Sequence, residues 1–162
     1  ESRRIMTKMI AFYTANVPGF ENAWVMAMAP QIGTRHSRRL IGVKQMNRED
    51  WTSGKVYDDE IAITPPPNPK HPNLSIPLGC LIPPSVDNLL VAGRNFSCDP
   101  MTHSFMRFIA QCWQMGQAAG IAASLSSSSG VPVRDIGADK VRSESIGQGV
   151  VLRREKGPVL AN

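Results

Sequence analysis

The first apolar pattern along the chain is helical. Between residues 2 and 15, apolar side chains recur at the three- to four-residue spacing of one helix face, namely Ile5, Met6, Met9, Ile10 and Tyr13. Pro18 and Gly19 follow, and both residue types break helices. The pattern therefore predicts a helix over residues 2–15.

The next three patterns are shorter. Residues 23–29 are apolar and fit either a helix or a strand, whereas residues 35–43 predict a short strand with basic side chains on it. Residues 47–51 predict the start of a helix, because Asn47 is a favourable amino-terminal cap and carboxylates fill the first turn.

Prolines dominate the middle of the chain. Because proline cannot donate a backbone hydrogen bond, residues 64–77 predict an extended connection without regular structure. The uninterrupted apolar run at residues 89–92 is bounded by turn residues. That run predicts a strand covered on both faces.

The longest predicted helix spans residues 104–125. One face begins bulky and narrows to small side chains, in the order Phe105, Phe108, Ile109, Cys112, Gly116, Ala119, Gly120 and Ala123. The opposite side carries Arg107 and glutamines, so no face is broadly charged. We expect this helix to be buried almost all round, with Gly116 and Gly120 where another backbone approaches closely.

A last short helix is predicted after the serine run at residues 126–129. Asp135 or Asp139 lies near its start, and Gly147 or Gly149 lies past its end. We expect three segments along the chain: residues 1–87, then residues 88–130 with the strand and the long helix, then residues 131–162 with the last short helix and a tail.

Composition excludes several functional classes. The 18 Lys and Arg against 13 Asp and Glu give a net charge of +5, but the basic residues are scattered, so we expect no nucleic-acid partner. The three cysteines are far apart and indicate neither a metal site nor a disulfide framework. No apolar run reaches the roughly 18 residues of a membrane span. We expect a cytoplasmic protein.

The chemistry is concentrated in residues 88–105. In open sheets, ligands bind beyond the carboxyl ends of strands, and a helix amino end offers free N–H groups. Here the predicted strand ends at Gly93 and Arg94, and the predicted helix begins near Ser104. An anionic or electron-rich ligand fits such a junction.

Several segments in order carry a family resemblance. Four sequences, in the order RHSRRLIGVKQMNREDW, IPLGCLIPPSVDNLLVAGRN, HSFMRFIAQCWQMGQAAGIAASL and VPVRDIGADKVRSESIGQGVVL, resemble the C-terminal part of FAD-dependent oxidoreductases of the glutathione-reductase-like, two-dinucleotide-binding superfamily. The resemblance covers residues 18–152. It implies an α/β fold, in which a substrate-domain segment precedes the last strand and helix of a Rossmann-like FAD-binding domain.

The resemblance also implies a cofactor and its ligands. FAD would be bound by Gly93 and Arg94 along its ribityl chain, and by backbone N–H groups at a helix amino end around Ser104, Phe105 and Met106. Arg107 would add positive charge. The reaction implied is oxidation of a small organic substrate by hydride transfer to the flavin. Among the bonds such enzymes oxidise, we favour a carbon–carbon desaturation beside a carbonyl.

The chain departs from the family in lacking the G-x-G-x-x-G turn that holds the FAD pyrophosphate. Residues 147–152 match only its first two glycines. We therefore expect an incomplete fold, inactive alone and completed by a second polypeptide, with the chain either a separate gene product or the product of cleavage. Gly116 and Gly120 would pack against that second chain.

The individual candidate residues each have a structural alternative. His103 is the candidate acid or base, since histidine titrates near neutral pH, and its alternative is a helix-capping role. His36 and Tyr57 are weaker candidates, and we expect Arg38 and Arg39 to form a salt bridge between segments. No metal site is predicted. For the whole chain, the alternatives are a non-catalytic interaction module and a basic nucleic-acid binder.

Overall fold

The computed structural model describes residues 1–152, which divide into two compact units. The first unit is Glu1–Arg35, and the second begins at His36. All the predicted cofactor and acid–base residues lie in the second unit.

The first unit contains one helix, α1, at Ser2–Asn16. This confirms the predicted helix, which ends before Pro18 and a glycine, Gly19, with a φ of +89°. None of the side chains of α1 is buried. Residues 23–29, which fitted helix or strand equally, form neither.

The second unit combines helices with a small sheet. Its elements are α2 at Arg48–Thr52, β1 at Glu60–Thr64, β2 at Leu74–Pro77, α3 at Pro100–Met106, α4 at Ile109–Ser129 and α5 at Ala138–Gly147. Two short 3₁₀ turns lie at Leu78–Cys80 and Val133–Asp135. This mixture of helix and strand is compatible with an α/β fold.

Helix α2 begins where local chemistry predicted. The side-chain oxygen of Asn47 accepts a hydrogen bond from the backbone N–H of Asp50 at 2.9 Å. This bond satisfies one of the free donors of the first turn. Helix α5 likewise confirms the predicted last helix, with Asp139 in its first turn.

The two strands form an antiparallel hairpin in which Ile63 pairs with Ser75 and Thr64 pairs with Leu74. The prediction of no regular structure over residues 64–77 is therefore wrong at both ends. Most of the prolines lie in the connection between the strands, so the backbone N–H groups of Leu74, Ser75 and Ile76 remain available for pairing.

Helix α4 packs on β1 and on α5, and α5 also packs on β1. Side chains with at most 1% exposure form the centre of this core, including Ile61, Leu74, Ile76, Leu81, Phe96, Met106, Met115 and Val141. Across it, an Arg142 guanidinium N–H donates to the backbone oxygen of Glu60 at 3.2 Å.

The two strands predicted outside the hairpin do not form. Residues 89–92 form no regular element: Leu89 is 43% exposed, and the backbone N–H of Val91 donates to the carbonyl of Leu81 at 2.8 Å outside any ladder. Residues 35–43 are irregular too. A strand requires a neighbour of matching length, and neither segment has one among residues 1–152.

The predicted helix over residues 104–125 is two helices. Arg107 ends α3, and Phe108 has extended backbone angles of φ −70° and ψ 163° before α4 begins. Phe105 and Met106 are buried, whereas Phe108 is 53% exposed. The chain changes direction between the residues that pack inward and the one that points outward.

Candidate functional site

The Gly93–Arg94 pair forms a surface turn. Gly93 has a φ of +87°, a conformation that favours glycine, and the backbone N–H of Phe96 donates to its carbonyl at 3.2 Å. A Cβ at Gly93 would meet no other atom of the described chain within 4 Å. The side chain of Arg94 is exposed. The turn thus presents open backbone and one cation.

His103 joins this turn to α3. Its Nε2 lies 2.8 Å from the carbonyl oxygen of Arg94, which can only accept, so Nε2–H is the donor. In the neutral ring, Nδ1 therefore carries the lone pair. The predicted junction accordingly brings Arg94 and His103 together, through the Arg94 backbone.

The surroundings of His103 favour its neutral form. Burial lowers the pKa of His103 below its ordinary 6.5, and electrostatic interactions with His36, Arg39 and Arg107 lower it further, against the opposing hydrogen bond to Arg94. A ring that is neutral at pH 7 can accept a proton at Nδ1.

His36 covers His103. The two imidazole rings stack with centroids 4.5 Å apart and an interplanar angle of 26°. His103 is only 2% exposed, whereas His36 is exposed. Sequence reasoning ranked His36 low because nothing in its local pattern indicates a partner so distant along the chain.

Ser104, Phe105 and Met106 do not lie at a helix amino end. They form the last residues of α3, whose start is capped by Asp99: a carboxylate oxygen of Asp99 accepts from the backbone N–H of Thr102 at 2.6 Å. The expectation that their N–H groups open a helix is wrong, because α3 begins earlier, at Pro100.

The side chains of these residues make packing contacts. The Phe105 ring meets the Trp51 ring edge-on at 5.1 Å, and Trp51 Nε1–H donates to the Thr102 hydroxyl at 3.1 Å. Met106 is fully buried. Ser104 is exposed, and its hydroxyl donates to the carbonyl of Met101 at 2.7 Å.

Free helix N–H groups lie instead at the start of α4. The first N–H groups of an α-helix have no acceptor within the helix, and no side chain of residues 1–152 caps α4. The Arg107 guanidinium lies 5.2 Å from the Phe108 ring beside this start. Sequence reasoning missed this helix start because it carries neither a capping residue nor a breaker.

Within residues 1–152, helix α4 is buried on one side, and the predicted burial of its other side by a second chain stays a prediction. Its buried side is Gln111, Met115, Ala118, Ile121 and Ala122. Its other side, which we call the open face, consists of Ile109, Trp113, Gly116, Gly120 and Ala123. Within residues 1–152, nothing lies within 4 Å of a Cβ built at Gly116 or Gly120.

A groove runs along part of the open face. It is lined by residues of the 88–90 turn, of α4 and of the segment after it: Asn88, Leu90, Ala119, Gly120, Ala123, Ser126, Ser127 and Val133. This groove lies between the apolar residues before Gly93 and the small side chains of α4.

The donor set around the junction suits an anionic or electron-rich group. Arg39, Arg94 and Arg107 form no salt bridge with any carboxylate of residues 1–152. The salt bridge expected for Arg38 and Arg39 is thus not formed in this part of the chain. Together with the uncapped start of α4, these cations offer donors without competing acceptors.

Tyr57 is held in a structural contact. Its hydroxyl donates to a carboxylate oxygen of Asp50 at 2.6 Å, and Lys55 bridges to the other oxygen at 2.7 Å. Burial and the Asp50 charge raise the pKa of Tyr57 far above its ordinary 10. This contact is consistent with the structural role expected for Tyr57.

Cys80, Cys98 and Cys112 are free thiols, and the first two are buried as expected of small apolar residues. No group of His, Cys, Asp or Glu in the described residues could hold a metal ion. None of the helices found between residues 1 and 152 is both long and apolar enough to cross a membrane.

Comparison with known proteins gives one match. The model of a family described as FAD dependent oxidoreductase matches residues 1–144, which include α1 to α4, the hairpin and most of α5. No curated protein and no solved structure matches.

Proposed function

The chain belongs to the FAD dependent oxidoreductase family, and from that premise we propose that its junction at residues 93–111 forms one wall of a flavin site. The family indicates FAD as the cofactor and a flavin-dependent redox function. In the proposed reaction, a small organic substrate is oxidised by hydride transfer. When bound, FAD supplies the acceptor for the hydride.

The residues that would hold FAD come from two adjoining places. The Gly93–Arg94 turn offers open backbone and a cation, and the start of α4 offers free N–H groups beside Arg107. Donors fixed in this way stabilise negative charge without reorganising. Of the other predicted ligands, Phe105 and Met106 would support this wall through the packing of α3, and exposed Ser104 could contact the cofactor directly.

His103 is the proposed proton acceptor. Its Nε2–H is committed to the Arg94 carbonyl, so the proton of a substrate carbon would go to Nδ1. Desaturation beside a carbonyl needs one such base, because loss of the hydride from one carbon accompanies loss of a proton from its neighbour. Because the His36 ring is stacked on His103, it would have to move for the substrate to reach Nδ1.

A second polypeptide is the proposed partner, carrying the N-terminal half of the FAD-binding site. The open face of α4 supports this proposal, since Trp113 is 74% exposed and the spaces over Gly116 and Gly120 are free of atoms of residues 1–152. Large exposed apolar patches mark interaction sites. Activity would then require both chains, and the free thiols suit a cytoplasmic location.

One observation carries the proposal: the family match runs through a junction in which unpaired cations and free helix N–H groups lie together. The test is the flavin absorbance of the protein purified with its natural partners, followed by the FAD affinity of the same assembly carrying Arg94→Gln. We expect weaker binding by roughly tenfold. Arg3→Gln, an exposed arginine of α1, serves as the matched control and should bind FAD normally.

The competing function is a non-catalytic interaction module that keeps the family fold. It would be supported by protein that is folded with its native partners yet colourless, and that binds no added FAD. In that outcome, neither Arg94→Gln nor Arg3→Gln would bind added FAD.

A further inference from the structure

A cluster of cationic and imidazole groups surrounds His103, which we call the Arg39 cluster: His36, Arg39, His103 and Arg107. The His36 and His103 rings are stacked, and the charges of Arg39 and Arg107 are close enough to act on His103. All four residues belong to the second compact unit.

The cluster has no counter-ion within residues 1–152. The ion pairs of this part of the chain involve Arg4, Lys44, Lys55, Arg134 and Arg142, and none of them includes a member of the cluster. Asp99, which follows Cys98 in the chain, forms no ion pair with the cluster. Its two carboxylate oxygens accept the backbone N–H groups of Thr102 and Arg48.

Arg39 is the least satisfied member of the cluster. Its Nη1 is buried and has no hydrogen-bond acceptor in the described chain. Leaving a buried guanidinium nitrogen unpaired is costly, so native proteins pair such groups almost always. Other cations close by increase the cost, because like charges repel.

We propose that Arg39 and His36, the latter stacked on His103, form a binding site for an oxyanion group. A planar guanidinium matches carboxylate and phosphate oxygens, and the exposed His36 imidazole offers a further N–H donor. The oxyanion is a carboxylate of the organic substrate or the pyrophosphate of the cofactor. The identity of the two sources rests on the proposed function, whereas the site itself does not.

This site differs from the flavin wall in its residues. The wall uses Gly93, Arg94, Arg107 and the start of α4, whereas Arg39 and His36 come from the irregular segment that precedes α2. That segment runs beside the junction, since the backbone N–H of Leu40 donates to the carbonyl of Asn95 at 2.8 Å. An organic acid held by Arg39 would therefore be placed next to His103.

The test is a titration of the purified protein, monitored through the ¹⁵N imidazole resonances of His36 and His103. The probes are succinate and inorganic pyrophosphate, each compared with sodium chloride at the same ionic strength. We expect saturable shifts at both rings with at least one probe. Arg39→Gln should weaken that binding roughly tenfold or more, and Arg39→Lys should weaken it less.

Arg38→Gln is the matched control, since Arg38 is the neighbouring arginine and is exposed. It should leave the affinity within about twofold, as expected for a screened surface charge. Equal weakening by Arg38→Gln and Arg39→Gln, or shifts no larger than those with sodium chloride, would overturn the site. Circular dichroism of each variant shows whether the fold is kept.

A second titration in the presence of saturating FAD separates the sources. Loss of the pyrophosphate response identifies the cofactor as the occupant, and a retained succinate response identifies a substrate carboxylate. Both results support the site. Failure of the protein isolated with its natural partners to bind FAD would refute the proposed function and would leave the succinate titration as an independent test of the Arg39 cluster.

Discussion

The two sides of α4 have similar composition and opposite surroundings. On the buried side, Met115 and Ala122 are fully enclosed by the core, whereas on the open face Trp113 is 74% and Ile109 is 62% exposed. Neither side carries a charged residue. The apolar pattern of a helix therefore predicts how much of its surface is buried, but it does not predict which chain buries it.

The glycines sharpen this difference. A Cβ at Gly42 would lie 2.9 Å from the carbonyl oxygen of Gly79 and 2.9 Å from the Ser97 Cβ, so close packing requires that glycine. No such contact exists around Gly116 or Gly120 within residues 1–152. Glycine in a helix lowers stability by about 1 kcal/mol relative to alanine, so these two glycines destabilise α4 unless a partner packs on them.

The largest expected effect compares the two sides of α4 directly. Met115→Ala should lower the free energy of unfolding by about 2–5 kcal/mol, because it leaves a cavity in the core. Trp113→Ala on the open face should change it by less than about 0.5 kcal/mol. Urea unfolding of the purified protein measures both. Comparable losses in the two variants would mean that both sides are buried.

A second test probes the polar contact on the buried side. Gln111 Nε2–H donates to the Thr64 hydroxyl at 2.8 Å, and both residues are buried. Thr64→Val should destabilise the fold by about 1–3 kcal/mol, because it leaves the Gln111 amide without that acceptor. The pair Thr64→Val and Gln111→Met should cost less than the sum of the single changes, as a double-mutant cycle of urea unfolding would show. Additive costs would mean that the two side chains do not interact.

A smaller effect is expected at the glycines. Gly116→Ala and Gly120→Ala should each raise the free energy of unfolding of the isolated chain by up to about 1 kcal/mol. Gly42→Ala, the matched control, should lower it, since its Cβ meets backbone. The same two α4 changes should weaken binding of the proposed second polypeptide. Destabilisation of the isolated chain would show that the open face is already occupied.

The smallest effect concerns the junction before α4. Because the pKa of His103 is lowered in the folded state, the unfolded chain takes up that proton first as pH falls. This contribution to stability is complete above pH 6.5 and is lost as the pH drops below it. The free energy of unfolding is measured from about pH 7.5 down to about pH 5, a range chosen around the ordinary histidine pKa near 6.5. This free energy should fall more steeply with pH for the natural protein than for His103→Gln. The same dependence of unfolding free energy on pH in both proteins would contradict a neutral His103.

The elements that sequence reasoning predicted correctly depend on local chemistry. Asn47 caps α2 through the residue three positions on, and α1 ends before Pro18 and Gly19. The strand β1 was missed because the prolines after Thr64 suggested irregular structure, although Ile61, Ile63 and Thr64 are β-branched.

The elements that could not be predicted depend on distant contacts. The break at Phe108 has no glycine or proline to mark it and follows from the inward packing of Phe105 and Met106. The stacking of His36 on His103 joins residues far apart in the chain. The contact between the Arg94 carbonyl and the His103 ring lies within residues 88–105, the segment for which the sequence predicts a ligand site, and that site stays a prediction.

The most direct test of the central claim is native mass spectrometry of the protein isolated with its natural partners, combined with flavin absorbance. The account predicts one complex containing this chain, a second polypeptide and FAD, with Gly120→Leu releasing the second polypeptide. A stable, colourless species that contains this chain alone and does not take up FAD would contradict it.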